Sequence, residues 1–301
     1  MNSLLSVCDV ENDIENIINL AGDFKNGKIK EKPLRNKTLA MIFEKSSTRT
    51  RVSFEVGMYE LGGTALFLST NDLQIGRGEP IKDTAKVLSR YVDGIMIRAK
   101  KHSDVVELAK QSDIPVINGL TDLEHPCQAF ADMLTIKEYK NNFNGKLTFV
   151  GDGNNVSNSL LLICAYLGMD FTIACPKGYE INEDIYKKGK EIGSKTGSEI
   201  IVTDDLGLAL KDADIVYTDV WVSMGDEKES KKRHADFKPY QVNTESMKLA
   251  KEDAIFMHCL PAIRGEEVTS DVIDGKQSVI YDQAENRLHA QKAILYHYLK
   301  E

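Results

Sequence analysis

The sequence predicts an α/β protein of two domains, each a mainly parallel sheet flanked by helices. Three observations predict it. The chain has 301 residues, about two domains at the soft prior of ~150 residues each. Short β-rich runs recur along it, each followed by a helical pattern, which implies βαβ units and parallel strands. Its 7 prolines and 21 glycines are spread without clustering, so no repeat, linker or low-complexity tract breaks the alternation.

In order, residues 37–43 read as a strand and 47–61 as a helix. In that helix Val52, Val56 and Tyr59 form one apolar stripe, with Phe54, Met58 and Leu61 beside it. Strands follow at 64–68, 94–98 and 115–118. A helix then starts near His125 with Phe130, Met133, Leu134 and Ile136 on its apolar face. In the second half, strands are expected at 146–150, 171–174, 199–202, 214–217, 254–257 and 278–281. Helices are expected at 156–167, 183–195, 206–212 and 284–300. The polar stretch 140–145 is the natural boundary, giving domains 1–139 and 140–283, with the final helix 284–301 expected to pack back on the first.

Composition excludes several classes. Apolar residues are 42% and charged residues 28%, ordinary for a globular protein. With 38 basic against 46 acidic residues the net charge is -8, the wrong sign for a general nucleic-acid binder, although a local anion pocket stays open. The longest apolar run, Leu160 to Leu167, is far below the ~20 residues of a membrane span. Asp9, Glu11, Asp13 and Glu15 stand where a targeting leader would need a basic stretch and an apolar core. The 5 cysteines are scattered with no C-x-x-C pair, so neither a disulfide framework nor a zinc ribbon is expected. A cytoplasmic location is the expectation.

In parallel α/β sheets, ligands bind beyond the carboxyl ends of the strands, and the unusual residues fall there. At the first junction, Ser47-Thr-Arg-Thr-Arg51 offers hydroxyls, arginines and the free N–H groups of a helix start. That is an anion site or an ordinary Ser/Thr cap with exposed arginines. Arg98 ends an apolar run and needs an anionic partner or solvent. His125-Pro-Cys-Gln128 opens a helix, where the histidine is either structural or aimed at a ligand. Gly151-Asp-Gly-Asn-Asn155 resembles a dinucleotide turn but lacks the full G-x-G-x-x-G and its acidic partner, so it suits a small polar ligand better than NAD. Asp219, at a strand end, precedes Ser223-Met-Gly225 and suits a cationic amine. The charged run Asp226 to His234 behind it reads as solvated surface. In His258-Cys-Leu-Pro261, Cys259 is either chemically active or a small buried apolar residue. Arg287 is a surface residue or one more anion ligand.

In order and spacing, Ser-Thr-Arg-Thr, His-Pro-x-Gln, Ser-Met-Gly and His-Cys-Leu-Pro together resemble the aspartate/ornithine carbamoyltransferase family, and the last two point to its ornithine branch. The resemblance runs from Lys37 through Arg287. It implies a carbamoyl-phosphate domain followed by an amino-acid domain. The reaction it implies is transfer of a carbamoyl group from carbamoyl phosphate to the side-chain amine of L-ornithine, giving L-citrulline and phosphate. By that resemblance Ser47, Thr48, Arg49 and Thr50 hold the phosphate, and Arg98, His125 and Gln128 contact the carbamoyl phosphate. Gln74 comes from a neighbouring subunit, and Cys259, Leu260 and Arg287 complete the carbamoyl site. Asn155, Asp219, Ser223 and Met224 hold ornithine. Arg98, His125, Asp219 and Cys259 are the implied catalytic residues. No metal or organic cofactor is implied, and the partners are the two small substrates and copies of the chain itself. The implied assembly is a homotrimer with sites at its interfaces.

Overall fold

The protein is described from a computed structural model covering residues 3–74, 78–222 and 227–300. Two parallel sheets flanked by helices are present, as the alternation predicts. The chain divides into two compact units, Met1–Leu134 with Glu285–Glu301, and Thr135–Ala284. Among the described residues no helix is long and apolar enough to cross a membrane.

The first unit holds α1 (Ile14–Lys25), β1 (Thr38–Phe43), α2 (Thr48–Glu60), β2 (Thr64–Ser69), α3 (Ile81–Leu88), β3 (Gly94–Arg98), α4 (His102–Gln111) and β4 (Val116–Leu120). It also holds the start of α5 (Pro126–Lys140) and most of the chain's last helix, Ile280–Leu299. Its four strands lie in the order β2-β1-β3-β4, all parallel. Leu39 to Phe43 in β1 and all of β3 are buried, as strands covered on both faces require. β2 is an edge strand that leaves Leu66 and Phe67 exposed. In α2 the buried face is Thr50, Phe54, Gly57 and Met58, while Val52 and Tyr59 are 49% and 75% exposed. The stripe expected from Val52, Val56 and Tyr59 is thus the outer one. Both stripes have the same period, and packing of Gly57 against Lys292 and Leu295 decides between them.

The second unit contains β5 (Lys146–Val150), α6 (Asn155–Leu167), β6 (Asp170–Ala174), α7 (Glu183–Thr196), β7 (Ile200–Thr203), α8 (Leu206–Leu210) and β8 (Ile215–Thr218). After these come α9 (Ser230–Phe237), α10 (Thr244–Met247), β9 (Ile255–His258), α11 (Ser270–Ile273) and the first residues of α12 (Ile280–Leu299). Its five parallel strands lie in the order β7-β6-β5-β8-β9. Val150, Val216, Phe256, Leu210, Val268 and Ile273 belong to one buried cluster, and Phe149 stacks on Tyr217 with ring centroids 5.5 Å apart. The long apolar run of the sequence forms the C-terminal part of α6, buried from Leu160 to Ala165. The strand expected at 278–281 does not form. Ser278 makes a single parallel bridge to Phe256, and α12 begins at Ile280. Ser-Val-Ile-Tyr has strong β propensity, but propensity yields to the tertiary packing that buries Val279 and Ile280.

In both sheets the chain steps outward from the first strand and then crosses to its other side. Each sheet therefore has a switch point, between β1 and β3 and between β5 and β8, where the loops at the strands' carboxyl ends diverge. The turn leaving β5 is tight. Gly151 has φ 145°, outside the range of ordinary side chains. At Gly153 an added Cβ would lie 2.3 Å from the carbonyl carbon of Glu180. Gly153→Ala must push that backbone away, an overpacking cost of about 1–3 kcal/mol. Its melting temperature is expected to fall by several degrees in a thermal scan, and an unchanged one would show that the contact opens freely.

Candidate active site

In the first unit the switch point gathers the expected anion residues. Ser47 is the N-cap of α2 with extended backbone, its Oγ accepting from Thr50 N–H at 3.3 Å. Thr48, Arg49 and Thr50 form the first turn, with no acidic residue to oppose an anion there. Arg98, 7% exposed, ends β3, and His125, 5% exposed, precedes α5.

One hydrogen-bonded chain ties this site together. Arg287, from α12, donates to Gln128 Oε1 at 2.6 Å and to Thr50 Oγ1 at 3.3 Å. Gln128 Nε2 donates to Asp132 Oδ1 at 2.8 Å, one helical turn on along α5. A carboxylate only accepts and a guanidinium only donates. Asp132 and Arg287 at the two ends therefore fix which way the Gln128 amide points. Asp132 is fully buried, and only this partnership reveals it. Gln74 lies outside the chain of bonds, exposed between β2 and α3.

Charge converges on His125. Burial first, then Arg287, Arg98 and Arg49, push its pKa well below 6.5. It is a neutral imidazole at neutral pH, able to donate one N–H without repelling the arginines. Burial pushes the neighbouring Cys127 thiol up to about 12, leaving it inert.

In the second unit Asn154 is the N-cap of α6. Its Oδ1 accepts from Val156 and Ser157 N–H at 3.0 and 3.1 Å, and its Nδ2 donates to Asp219 Oδ2 at 2.9 Å. Cys259 Sγ donates to the other oxygen of Asp219 at 3.2 Å. The structure thus joins Asp219 to Cys259 and adds Asn154 to them. Asn155 is the first residue of α6 and half-buried. Ser223 and Met224 lie outside the described residues.

Leu260 has φ 57°, a left-handed backbone that branched residues rarely adopt. Its N–H donates to His258 Nδ1 at 2.9 Å. With that nitrogen accepting, the ring proton sits on Nε2 and faces Glu267 Oε1 at 3.2 Å, and the same oxygen accepts Ile263 N–H at 2.6 Å. Asp219, His258 and Cys259 have ligand-type atoms within 4.8 Å of one another. They do not fit a metal, because both His258 nitrogens are committed and the thiol is already bonded to the carboxylate. Within the run expected to be solvated, Arg233 is buried instead. It pairs with Asp152 at 2.8 Å, donates to Trp221 O at 3.1 Å and lies 5.1 Å over the Tyr179 ring. A count of charges along the chain carries no signal for such a partnership.

The state of His125 has a pH signature. An unfolded histidine protonates near 6.5, whereas this one stays neutral when folded. Below that pH the unfolded chain binds the extra proton, and stability falls as pH drops, by up to about 1.4 kcal/mol per pH unit for one group. His125→Asn is expected to lose less melting temperature between pH 7.5 and 5.5 than the parent. Parallel melting curves would overturn the neutral buried state.

Residues 2–138 match the family model described as the aspartate/ornithine carbamoyltransferase carbamoyl-P binding domain, and 144–298 match its Asp/Orn binding domain. The chain is 66% identical over 301 residues to an ornithine carbamoyltransferase of Methanobrevibacter smithii, covering 100% of both. It superposes with TM-score 0.95 on ornithine carbamoyltransferase from Pyrococcus furiosus, at 52% identity over 99% of this chain and 97% of that one. The anabolic ornithine carbamoyltransferase of Campylobacter jejuni also gives TM-score 0.95, at 44% identity over 99% of each chain. With both halves matched by the same pair of domain models and the whole length covered by these relatives, the chain belongs to the aspartate/ornithine carbamoyltransferase family.

Proposed function

We propose that this protein transfers the carbamoyl group of carbamoyl phosphate to the side-chain amine of L-ornithine, producing L-citrulline and phosphate. The observation that carries this reading is the cluster at the start of α2, where Arg287 donates to Gln128 and Thr50, together with a buried His125 whose pKa burial and then the charges of Arg287, Arg98 and Arg49 hold well below 6.5. Such a site binds a dianion and still offers an uncharged donor to a carbonyl. The ornithine carbamoyltransferase names of relatives spanning the whole chain support ornithine as the acceptor.

In this reading the phosphate sits at the N-terminus of α2 on Ser47, Thr48, Arg49 and Thr50, where helix N–H groups and the arginine favour an anion. Arg98 and His125 donate to the carbamoyl oxygen. Gln128, Arg287, Cys259 and the Leu260 backbone hold the rest of the group, and Gln74 comes from a neighbouring copy. Asn155, Asp219, Ser223 and Met224 hold ornithine. An alkylammonium with a pKa of about 10.4 is deprotonated in roughly one molecule in a thousand near neutrality, a deficit of about 4 kcal/mol. Asp219 attracts the ammonium and, with Cys259, orients it while a proton leaves. The nitrogen lone pair attacks the carbamoyl carbon, and the C=O electrons move onto oxygen between Arg98 and His125, which act as an oxyanion hole. Collapse restores C=O and breaks the C–O bond to phosphate, and the nitrogen loses its second proton. Cys259 forms no covalent intermediate.

The proposed assembly is a homotrimer with sites at its interfaces, and the exposed Leu66 and Phe67 of the edge strand β2, with Arg51 lying 3.8 Å over the Phe67 ring, support contact with another copy there. The proposed setting is cytoplasmic, in arginine biosynthesis.

The direct test mixes protein and carbamoyl phosphate with ornithine, putrescine, aspartate or N-acetylornithine and measures ureido product and phosphate. Citrulline from ornithine alone is expected. Product from another amine would overturn the acceptor, and tight binding without turnover would replace the enzyme by a sensor of phosphometabolites. Arg49→Ala should raise the KM for carbamoyl phosphate about tenfold or more through loss of charge-assisted contacts, and an unchanged KM would remove it from the phosphate site. Cys259→Ser should lower kcat at least tenfold, on the order of 1.4 kcal/mol, with little change in melting temperature. Parental turnover would make the thiol simple packing.

A further inference from the structure

We infer that Asn154, rather than only starting a helix, is the positioning residue that sets the orientation of the Asp219 carboxylate toward the acceptor amine. The inference rests on the reading that Asp219 faces that amine.

An asparagine amide has one accepting and one donating end, and which end points where is decided by its partners. Here the accepting end is taken. Asn154 Oδ1 holds the Val156 and Ser157 N–H groups at 3.0 and 3.1 Å, the free donors of the first turn of α6. The NH₂ end can therefore only turn outward, and it meets Asp219 Oδ2 at 2.9 Å. Helix geometry thus dictates that a donor is presented to this carboxylate.

The anchor is rigid. Val156 to Ala165 are buried along α6. Asn154 is itself pinned by its N–H on Asp152 O at 2.7 Å, while its carbonyl takes Ser157 Oγ at 2.9 Å. Asp219, 9% exposed, belongs to the loop after β8. It receives one donor on each oxygen, Asn154 on Oδ2 and Cys259 on Oδ1. Two donors on opposite oxygens fix the plane of a carboxylate, so its remaining lone pairs face one direction. Without Asn154 the carboxylate keeps a single thiol contact and can rotate about it. The two neighbouring asparagines then divide the work, Asn155 toward the substrate and Asn154 toward the residue that meets it.

Capping and positioning separate cleanly by substitution. Serine is as good an N-cap as asparagine, so Asn154→Ser keeps the cap and removes the donor to Asp219. Asn154→Asp also keeps a cap but sets a second carboxylate against Asp219. Asn154→Ala removes cap and donor together. With carbamoyl phosphate and ornithine as substrates, Asn154→Ser should retain the parental melting temperature within about 2 °C and the parental KM for carbamoyl phosphate. Its kcat should fall tenfold or more, with a higher KM for ornithine. Asn154→Asp should lose more than the serine variant, and Asn154→Ala should lose activity as the serine variant does but also melt lower. Parental kcat and KM in Asn154→Ser, with a deficit confined to Asn154→Ala, would reduce Asn154 to a cap and overturn the inference. If the parent protein itself makes no citrulline, the functional reading fails and takes this inference with it.

Discussion

A parallel sheet sends every strand's carboxyl end to the same edge, and the connections must leave from there. Where strand order reverses, adjacent loops run to opposite faces and a gap opens that no side chain of the sheet fills. Each unit has one such reversal, between β1 and β3 and between β5 and β8. The candidate site residues stand where that constraint puts them. Ser47 to Thr50 follow β1 and Arg98 ends β3. Asn154 and Asn155 follow β5, while Asp219 follows β8. Cys259 and Leu260 follow β9, the next strand out.

Both units then solve the same problem in burying polar groups. An amide is ambiguous, because its two ends are nearly the same size but opposite in hydrogen-bonding sense. In the first unit Gln128 lies between a carboxylate that can only accept, Asp132, and a guanidinium that can only donate, Arg287. In the second, Asn154 lies between helix N–H groups that can only donate and the carboxylate of Asp219. Each amide is held in one orientation because the alternative would leave buried donors facing donors, at a desolvation penalty of about 1–3 kcal/mol per unsatisfied group. The Leu260 turn follows the same logic. A strained left-handed residue is retained because His258 Nδ1 accepts its N–H, while Glu267 takes the ring proton and the Ile263 N–H as well.

Electrostatics in the first unit runs against the whole-chain charge. The protein carries a net charge of -8, yet burial first, and then three arginines, hold one histidine neutral. Net charge governs solubility and long-range steering. Local charge governs what binds, and the exclusion of nucleic acid drawn from the total says nothing against a small anion held here.

Strand and helix periodicity alone made the α/β alternation legible, and most strands lie within a residue or two of where the pattern puts them. The motif residues were legible too, because helix starts after strands have few chemical explanations for an Arg, a His and several hydroxyls together. Four things were not. The 278–281 run has the composition of a strand and becomes the start of a helix because of what Val279 and Ile280 pack into. The two stripes of α2 have equal period, so which faced inward was undetermined. Helices α1, α3 and α4, which the expected elements do not include, each bury an apolar stripe, Ile14, Ile17, Ile18, Ala21 and Phe24 in α1. Asn154, Glu267 and Arg233 act through partners distant in sequence or on another element, as the separation of 81 positions between Arg233 and Asp152 shows, and Asp132 acts through a glutamine that Arg287 of α12 holds from its other end. The order of residue types thus determined by itself the α/β alternation and which side chains stand at the strand ends. Strand order, the inward face of each helix and the orientation of each buried amide were decided only by tertiary structure, because each depends on which groups must be satisfied when water is excluded.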